Sequence, residues 1–497
     1  MANRSQYTCT HIVNGEAIDT SETFFEHLNP NTATVLTRVP LASPELVNQA
    51  VQAAKAAFAE WANTPIVKRS QIFYRYKRLF EDQFAALAQL LSTEHGKNVN
   101  EAKGSLRRGL EVIELACSLP AVYKGETLRN VGGGVDYETH RFPLGVCVGI
   151  TPFNFPAMIP LWMFPISVMA GNTFILKPSP QTPLTSTRLV ELAGEAGLPP
   201  GVLNIVHGGK EVVDALLTHP DIQAISFVGS TPVARYIYQQ GTNAGKRVQA
   251  SGGAKNYALV MPDAPIDNTV NALISSVFGS IGERCMATSV VIGTDAAIDR
   301  ILPSLKNVAQ QLTLGRTDGQ NIPDIGPVVS KEHQERIEGY IQKGVDEGAE
   351  LILDGRNPFV ADAPNGFFVG PTIFDRVAPD MTIAQEEIFG PVLSIIRVNS
   401  LQNAIAQINK SPFGNAVVVY TNSGRSAREI QDKAECGMVG INVGVPAPMS
   451  LFPFSGWKQS FFGDLHVQSS EGLDFCTKKK VVMKRWFDDD QLNDIVF

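Results

Sequence analysis

GVCVGI (145–150) is the first of several short apolar runs that decide the fold of this chain. The next runs are NTFILK (172–177), VLNIVHG (202–208) and IQAISFVGS (222–230). The helical stretches that separate them lie near 157–169, 184–196, 211–218 and 232–241. A succession of buried strand, crossover helix and buried strand is typical of a parallel, doubly wound sheet, so the sequence predicts an α/β fold.

A second series of strands and helices begins near residue 256. Its candidate strands are NYALVM (256–261), TSVVIGT (288–294), AELILDG (349–355), PVLSIIRV (391–398), NAVVVYT (415–421) and MVGINVG (438–444). Its candidate helices lie near 266–280, 296–313, 330–347, 400–410 and 424–435. Two consecutive series predict two doubly wound α/β domains with a cleft between them, and ligands usually bind in such clefts.

Other segments flank or interrupt these two series. Helical spacing of apolar residues predicts two long helices over 44–95 and a third over 104–123. The glycine-rich segment 125–143 predicts a β-hairpin, and the tail 475–490 could add a strand beside it. We interpret the hairpin and the tail as an arm that docks on another subunit. An ordinary surface hairpin is the alternative.

The composition of the 497-residue chain excludes several function classes. The 42 basic and 49 acidic side chains give a net charge of −7, which disfavours a role centred on nucleic-acid binding. No apolar run is long enough to predict a membrane span, and the N-terminal residues lack the pattern of a signal or transit peptide. Six isolated cysteines without a CxxC pair argue against a metal cluster and favour a cytoplasmic, reducing setting.

Cys285, in FGSIGERCMAT (278–288), is a candidate nucleophile. It lies between a predicted helix and a predicted strand. A cation beside a thiol lowers the thiol pKa, so we expect the neighbouring Arg284 to increase the thiolate fraction of Cys285. A buried cysteine without a chemical role is the alternative interpretation.

Three further positions follow predicted strands of the first series. Asn154 lies in an irregular turn between prolines, where its amide could donate a hydrogen bond to an oxyanion or simply form the turn. Lys177 ends its strand at the edge of the sheet where nucleotides bind, and it could contact ribose hydroxyls. Gly229 and Ser230 open a helix whose free N–H groups could contact phosphate, although this is not a GxGxxG motif.

Together these segments resemble the aldehyde dehydrogenase superfamily over essentially the whole chain. The matching pieces are TPFNFP, LKPSPQTP, FVGST, GGAKN, GERC, QEEIFGPVL (385–393) and PFSGWK (453–458). Within the superfamily, the chain is most similar to the CoA-acylating methylmalonate-semialdehyde dehydrogenases. That similarity is carried by residues 227–264, GERCMA (282–287), GWKQSFFGDLHV (456–467) and KRWF (484–487).

The resemblance implies a role for each matching residue. Cys285 would be the nucleophile, and Asn154 with the Cys285 backbone N–H would form the oxyanion hole. The substrate carboxylate would be bound by Arg284 and by Arg108, with Arg107 as the alternative to Arg108. The residues implied to bind the cofactor are Thr151, Phe153, Lys177, Ser179, Pro180, Gly229, Ser230, Glu387 and Phe389. No metal ion is expected.

Two positions depart from the superfamily pattern. Hydrolytic members have a glutamate where this chain has Ser251, and the loss of that general base suits an enzyme that transfers its acyl group to CoA. Many NAD-preferring members have a glutamate where this chain has Pro180. This second departure leaves NADP possible, although the resemblance favours NAD.

The resemblance therefore implies an NAD-dependent, CoA-acylating oxidation of methylmalonate semialdehyde and malonate semialdehyde. The alternatives are a hydrolytic NAD(P)-dependent dehydrogenase of another aldehyde, such as succinate semialdehyde, and a non-catalytic NAD-binding protein. The implied partners are these small molecules and a second copy of the chain, in a dimer or a tetramer. The implied division is an NAD-binding domain (1–123 and 144–253), a catalytic domain (254–447), an oligomerisation arm (124–143 and 470–497) and a returning segment (448–469).

Overall fold

The computed structural model describes residues 7–19, 22–319 and 321–486. The first residues of the predicted NAD-binding domain (1–6) and the last ones of the predicted arm (487–497) lie outside this part of the chain. The described residues form two large mixed α/β layers and three small separate sheets, β22-β6-β5, β17-β20 and β3-β4. No helix among them is both long and apolar enough to cross a membrane.

The secondary structure alternates between strands and helices along the chain. The strands are β1 His11–Val13, β2 Glu16–Ile18, β3 Phe24–Leu28, β4 Val35–Pro40, β5 Thr127–Gly132, β6 Val135–Pro143, β7 Val146–Ile150, β8 Thr173–Lys177, β9 Leu203–Ile205, β10 Ile222–Val228, β11 Arg247–Ser251, β12 Asn256–Val260, β13 Thr288–Gly293, β14 Glu350–Leu353, β15 Thr372–Asp375, β16 Val392–Arg397, β17 Phe413–Gly414, β18 Ala416–Tyr420, β19 Met438–Ile441, β20 Trp457–Lys458, β21 Phe461–Phe462 and β22 Thr477–Arg485. The helices are α1 Pro44–Asn63, α2 Ile66–Asp82, α3 Phe84–His95, α4 Val99–Val122, α5 Met158–Met169, α6 Leu184–Glu195, α7 Lys210–Thr218, α8 Thr231–Asn243, α9 Ile266–Phe278, α10 Asp295–Gln311, α11 Lys331–Asp346, α12 Thr382–Gln385, α13 Leu401–Lys410, α14 Gly424–Lys433 and α15 Ser469–Phe475, with a 3₁₀ turn at Gly279–Gly282.

The first large sheet has eight strands in the order β2-β1-β9-β8-β7-β10-β11-β21. The strands from β9 to β11 run parallel, which confirms the doubly wound arrangement predicted from the four apolar runs. The short strands at its two edges are antiparallel to their neighbours. Every residue of β7 and β8 is buried, because helices cover both faces of the sheet.

The second large sheet has seven strands in the order β14-β15-β16-β13-β12-β18-β19. All neighbouring strands are parallel except β14, which runs antiparallel to β15 at the edge. The six predicted strands of the second series are confirmed. Sequence analysis missed β15, a strand of four residues that lies between β14 and β16 in the sheet.

The prediction of two long helices over 44–95 is wrong, since the structure has three. The break that the prediction missed lies at Gln83, whose φ of −99° and ψ of 7° end α2 and redirect the chain into α3. Apolar side chains continue at helical spacing across this bend, so the pattern alone conceals it. Helix α4 also begins earlier than predicted, because the Asn98 side chain accepts hydrogen bonds from the N–H groups of Asn100 and Glu101.

The predicted hairpin and its C-terminal partner are confirmed as a small antiparallel sheet in the order β22-β6-β5. Gly133 and Gly134, with φ of 58° and 80°, form the turn between β5 and β6. Strand β22 pairs with β6 from Thr477 opposite Pro143 to Arg485 opposite Val135. Most side chains of this sheet are exposed.

Candidate functional site

The candidate site lies where the parallel strands of the first sheet end. Strand β7 leads into Thr151 and Asn154, and β8 ends at Lys177. Strand β10 is followed by Gly229, which precedes helix α8. Because the carboxyl ends of parallel strands meet at one edge, these residues come together although they are far apart in sequence.

A cavity of about 830 Å³ opens at this edge. All the residues predicted to bind the cofactor line it, together with both predicted catalytic residues: Thr151, Phe153, Asn154, Lys177, Ser179, Pro180, Gly229, Ser230, Cys285, Glu387 and Phe389. The cavity is long enough to run from Lys177 at one end to the thiol at the other. Its size suits a dinucleotide.

The residues at the far end of this cavity fit a nucleotide. Lys177 is buried, yet among the described residues its ammonium group has no hydrogen-bond or ion-pair partner. Burial lowers the pKa of Lys177 to about 8. A side chain on Gly229 would overlap the Phe227 ring, so only glycine fits here. Ser230 precedes α8 without capping it, which leaves the first N–H groups of that helix free to contact a phosphate.

A second, smaller cavity of about 210 Å³ lies on the other side of Cys285. Arg108 and Arg284 both line it, whereas Arg107 is exposed and is not among its lining residues. The remaining lining is mainly apolar and includes the Trp162 ring, which packs against Phe454 with 4.8 Å between the ring centroids. Cys285 lines both cavities, so the thiol lies where the two cavities meet.

The backbone around Cys285 is held tightly. The side-chain amides of Asn256 and Asn415 both donate to the Cys285 carbonyl oxygen, over 2.8 and 2.9 Å. The turn before it has left-handed backbone at Ser280 (φ 47°) and at Gly282 (φ 73°). These constraints fix the direction of the thiol.

Arg284 lowers the pKa of Cys285, as expected, but the expected net increase in the thiolate fraction is wrong because other effects outweigh it. Burial of the thiol, reinforced by the negative charge of Glu387, raises the pKa of Cys285 to about 12, and Arg284 only slightly opposes this. The guanidinium of Arg284 is paired with the Glu101 carboxylate at 3.2 Å, which offsets its charge. The thiol is therefore protonated in the absence of ligands.

Asn154 is oriented from two sides. Its side-chain amide donates to the Glu283 carbonyl oxygen over 2.9 Å, which leaves its second N–H for another acceptor. The Asn154 backbone carbonyl accepts a hydrogen bond of 2.7 Å from the ammonium of Lys97. Lys97 is fully buried, lies 4.1 Å from the centre of the Phe155 ring, and has a pKa lowered to about 7 by burial. This arrangement suits an oxyanion-hole donor.

A cluster of buried ionisable side chains lies behind Asn154. One oxygen of Glu283 accepts from the Val329 N–H over 3.2 Å and is 3.4 Å from His333 Nε2. The other oxygen is 3.5 Å from His95 Nε2 and has no hydrogen-bond partner among the described residues. Burial raises the pKa of Glu283 to about 8 and lowers the pKa of both histidines. The cluster is therefore neutral or nearly so at neutral pH.

Glu387 and Phe389 lie across the larger cavity from Asn154. The Glu387 carboxylate accepts from the Ala254 N–H over 2.9 Å, and burial raises its pKa. Phe389 has a φ of 63° and packs edge-on against Phe153, with 5.8 Å between the ring centroids. Ser251 is buried at the end of β11.

Sequence analysis identified residues that line the two cavities, but it missed the residues that hold them in position. They are Lys97, Glu101, Glu111, Asn256, His333 and Asn415, together with the buried carboxyl of Glu283. Lysine and glutamate side chains usually lie in solvent, so nothing in the sequence marked Lys97 and Glu283 as buried. Asn256 offered a signal, because a polar residue at the start of an otherwise apolar strand needs a partner.

Known proteins resemble the chain along nearly its whole length. The aldehyde dehydrogenase family profile matches residues 17–482. A malonate-semialdehyde dehydrogenase from Pseudomonas aeruginosa is 49% identical over 484 residues, with 96% of each chain covered. A malonate-semialdehyde dehydrogenase from Geobacillus kaustophilus is 51% identical, covering 92% of this chain and 93% of that one.

Solved structures agree with these relatives. The methylmalonate-semialdehyde dehydrogenase of Oceanimonas doudoroffii superposes with a TM-score of 0.95 at 46% identity, covering 97% of this chain and 99% of that chain. A Sinorhizobium meliloti protein with NAD bound, provisionally assigned to the same enzymes, superposes with a TM-score of 0.96 at 43% identity, covering 99% and 100%. The fold and the arrangement around Cys285 agree with the resemblance inferred from the sequence, and the chain belongs to the aldehyde dehydrogenase family.

Proposed function

We propose that this protein oxidises malonate semialdehyde and methylmalonate semialdehyde with NAD and transfers the acyl group to CoA. One observation carries the proposal: Cys285 lies between a cavity lined by two arginines and a cavity of dinucleotide size. An aldehyde that also bears a carboxylate fits the first cavity, because the planar guanidinium group pairs well with a carboxylate. The names of the curated relatives agree with this substrate class.

The proposed reaction begins when the Cys285 thiol gives up its proton to solvent water. The resulting thiolate attacks the aldehyde carbon, the electron pair of the C=O π bond moves to the oxygen, and the free N–H of Asn154 stabilises this oxyanion. NAD, when bound, accepts the hydride that leaves this carbon. Cys285 then carries the acyl group as a thioester. The carboxylate beta to this thioester leaves as carbon dioxide, and its electron pair remains on the alpha carbon, which takes up a proton.

The last step is transfer of the propionyl or acetyl group to CoA. Hydrolysis would need a base that activates water, and Ser251 has no useful proton affinity at neutral pH. Glu387, whose carboxylate lies beside Gly253, already accepts a hydrogen bond from the Ala254 N–H. The thiol of CoA ionises to a few per cent near neutral pH, so it needs less assistance than water. Its attack releases the Cys285 thiolate.

Residues of the larger cavity fit the proposed cofactor. Lys177 and Ser179 would contact the adenine ribose, Gly229 and Ser230 the pyrophosphate, and Glu387 the nicotinamide ribose, with Thr151, Phe153 and Phe389 beside the ring. Pro180 carries no charge to repel a 2′-phosphate. We propose NAD as the preferred cofactor and NADP as a weaker one.

We also propose that residues 1–123 and 144–253 form the NAD-binding domain, and residues 254–447 the catalytic domain. In this proposal the β5-β6-β22 sheet holds the chain in a dimer or tetramer. Exposed apolar side chains on that sheet support an intersubunit role, among them Leu128, Val481 and Met483. Six unpaired thiols are consistent with a cytoplasmic location.

The test omits CoA from the assay. Purified enzyme with NAD and malonate semialdehyde should release one equivalent of NADH per active site in a burst and then turn over slowly. Adding CoA should restore rapid steady-state turnover. Undiminished NADH production in CoA-free buffer would instead identify a hydrolytic aldehyde dehydrogenase. Succinate semialdehyde, assayed in parallel, tests the substrate assignment.

A further inference from the structure

Arg108 is already engaged on both of its terminal nitrogens. Nη1 donates to both carboxylate oxygens of Glu111 at 3.0 Å, and Nη2 donates to the Ala447 carbonyl oxygen over 2.6 Å. A carboxylate that binds end-on to a guanidinium group needs one N–H from each terminal nitrogen. Glu111 takes both N–H groups of Nη1, whereas the second N–H of Nη2 has only the Pro448 carbonyl oxygen at 3.5 Å, so an incoming substrate carboxylate finds the Nη1 side of Arg108 occupied by Glu111.

The charges around the smaller cavity also balance without a substrate. Arg108 faces Glu111, and Arg284 faces Glu101 at 3.2 Å. Two arginines and two glutamates attract a substrate anion weakly. A carboxylate is bound well only when one glutamate gives up its arginine.

The two glutamates differ in how they are held. Glu101 accepts a hydrogen bond from the Ser280 N–H as well as from Arg284, so it also supports the turn before Cys285. The Glu111 carboxylate has Arg108 as its only partner among the described residues, and 26% of the Glu111 side-chain surface is accessible to solvent. Glu111 is therefore the carboxylate that can be displaced into solvent at little cost.

We propose that Glu111 is a specificity-determining residue that holds Arg108 while the cavity is empty and yields it to the carboxylate of the substrate. This inference rests on the proposed function, because it concerns how an aldehyde with a carboxylate is selected. While the cavity is empty, Glu111 gives the partly buried guanidinium group of Arg108 a partner of opposite charge. It also weakens binding of the correct substrate by competing for the same N–H groups.

The test is Glu111→Gln, which removes the charge and keeps the shape. We expect KM for malonate semialdehyde to fall roughly three- to tenfold, the range of a partly buried ion pair. KM for propanal, which has no carboxylate, should stay unchanged. Glu114→Gln is the matched control, because Glu114 lies on the same helix but pairs with Lys77 at 3.4 Å, outside the cavity lining.

A double-mutant cycle separates competition from a general effect on packing. In the Arg108→Leu background, Glu111→Gln should no longer change KM for the semialdehyde. An unchanged or raised KM in the single variant, or an equal change for propanal, would overturn the proposal.

A second measurement separates this inference from the proposed function. Malonate should inhibit propanal oxidation by binding its carboxylate in the same cavity, without acyl transfer. Glu111→Gln should strengthen that inhibition three- to tenfold, and unaltered inhibition would contradict the role of Glu111. Absence of CoA-dependent turnover with malonate semialdehyde in the unaltered enzyme would refute the proposed function alone.

Discussion

Glu283→Gln tests whether the buried carboxyl behind Asn154 is protonated. Glutamine has nearly the same shape as glutamic acid. Its oxygen can accept from the Val329 N–H, as one oxygen of Glu283 does over 3.2 Å. Its amide can donate to His95 Nε2, which lies 3.5 Å from the other oxygen. The variant should therefore fold with the same contacts.

The size of the effect follows from the pKa of Glu283. Burial raises that pKa from 4.5 to about 8, so the folded protein binds one more proton than the unfolded chain between these values. Glu283 makes its full contribution to the free energy of unfolding below pH 4.5, and that contribution is lost as the pH rises towards 8. A group that is protonated only in the folded state loses stability at a rate of at most about 1.4 kcal/mol per pH unit, which gives about 2–3 kcal/mol from pH 5.5 to pH 7.5.

The assay compares urea unfolding of the two proteins at pH 5.5 and pH 7.5. Titrating groups outside this cluster are shared, so their contributions cancel in the difference between the proteins. Lys97 is coupled to the charge of Glu283 and contributes to the difference together with it. The free energy of unfolding of Glu283→Gln, relative to the unaltered protein, should rise by about 2–3 kcal/mol between the two pH values. A difference that is constant with pH would mean that Glu283 is ionised throughout, and the assignment would be wrong.

Two further substitutions test the geometry around the thiol. Asn154→Ala removes the side chain proposed as the oxyanion donor and should slow the NADH burst about 100- to 1,000-fold in stopped-flow assays, while a burst slowed less than tenfold would exclude Asn154 from this role. Gly282→Ala places a methyl group against the Gly390 carbonyl at a φ of 73°, and should lower stability by about 3 kcal/mol or more in thermal unfolding. Gly339→Ala, with open space around it, is the control and should unfold no earlier than the unaltered protein.

The sequence predicted the framework of the site because that framework depends on local patterns. Short apolar runs separated by helices predict parallel strands, and the residues that follow such strands meet at one edge of the sheet. Asn154, Lys177 and Gly229 were located in this way. Cys285 and Glu387 needed the family resemblance, because a lone cysteine and a loop glutamate carry no local signal.

The contacts that the sequence did not predict join distant parts of the chain. Lys97 reaches Asn154, and Asn415 reaches Cys285, over separations that no periodic pattern encodes. The pKa of Cys285 was predicted in the wrong direction for the same reason. Adjacency in sequence suggested that Arg284 acts on the thiol, whereas in the fold its charge is paired with Glu101.

Burying a carboxyl group costs free energy of folding, and the position of Glu283 explains why one is buried behind Asn154. Asn154 follows a strand of the first sheet, and Cys285 precedes a strand of the second, so the proposed oxyanion donor and the proposed nucleophile belong to different layers. The hydrogen bond from Asn154 to the Glu283 carbonyl joins the two layers two residues before the thiol. An apolar side chain at 283 could fill the same space, but it would not bind the Val329 N–H and would leave this peptide freer to turn. Since an error of about 1 Å between reacting groups can cost about a hundredfold in rate, the carboxyl contributes alignment that packing alone would not provide.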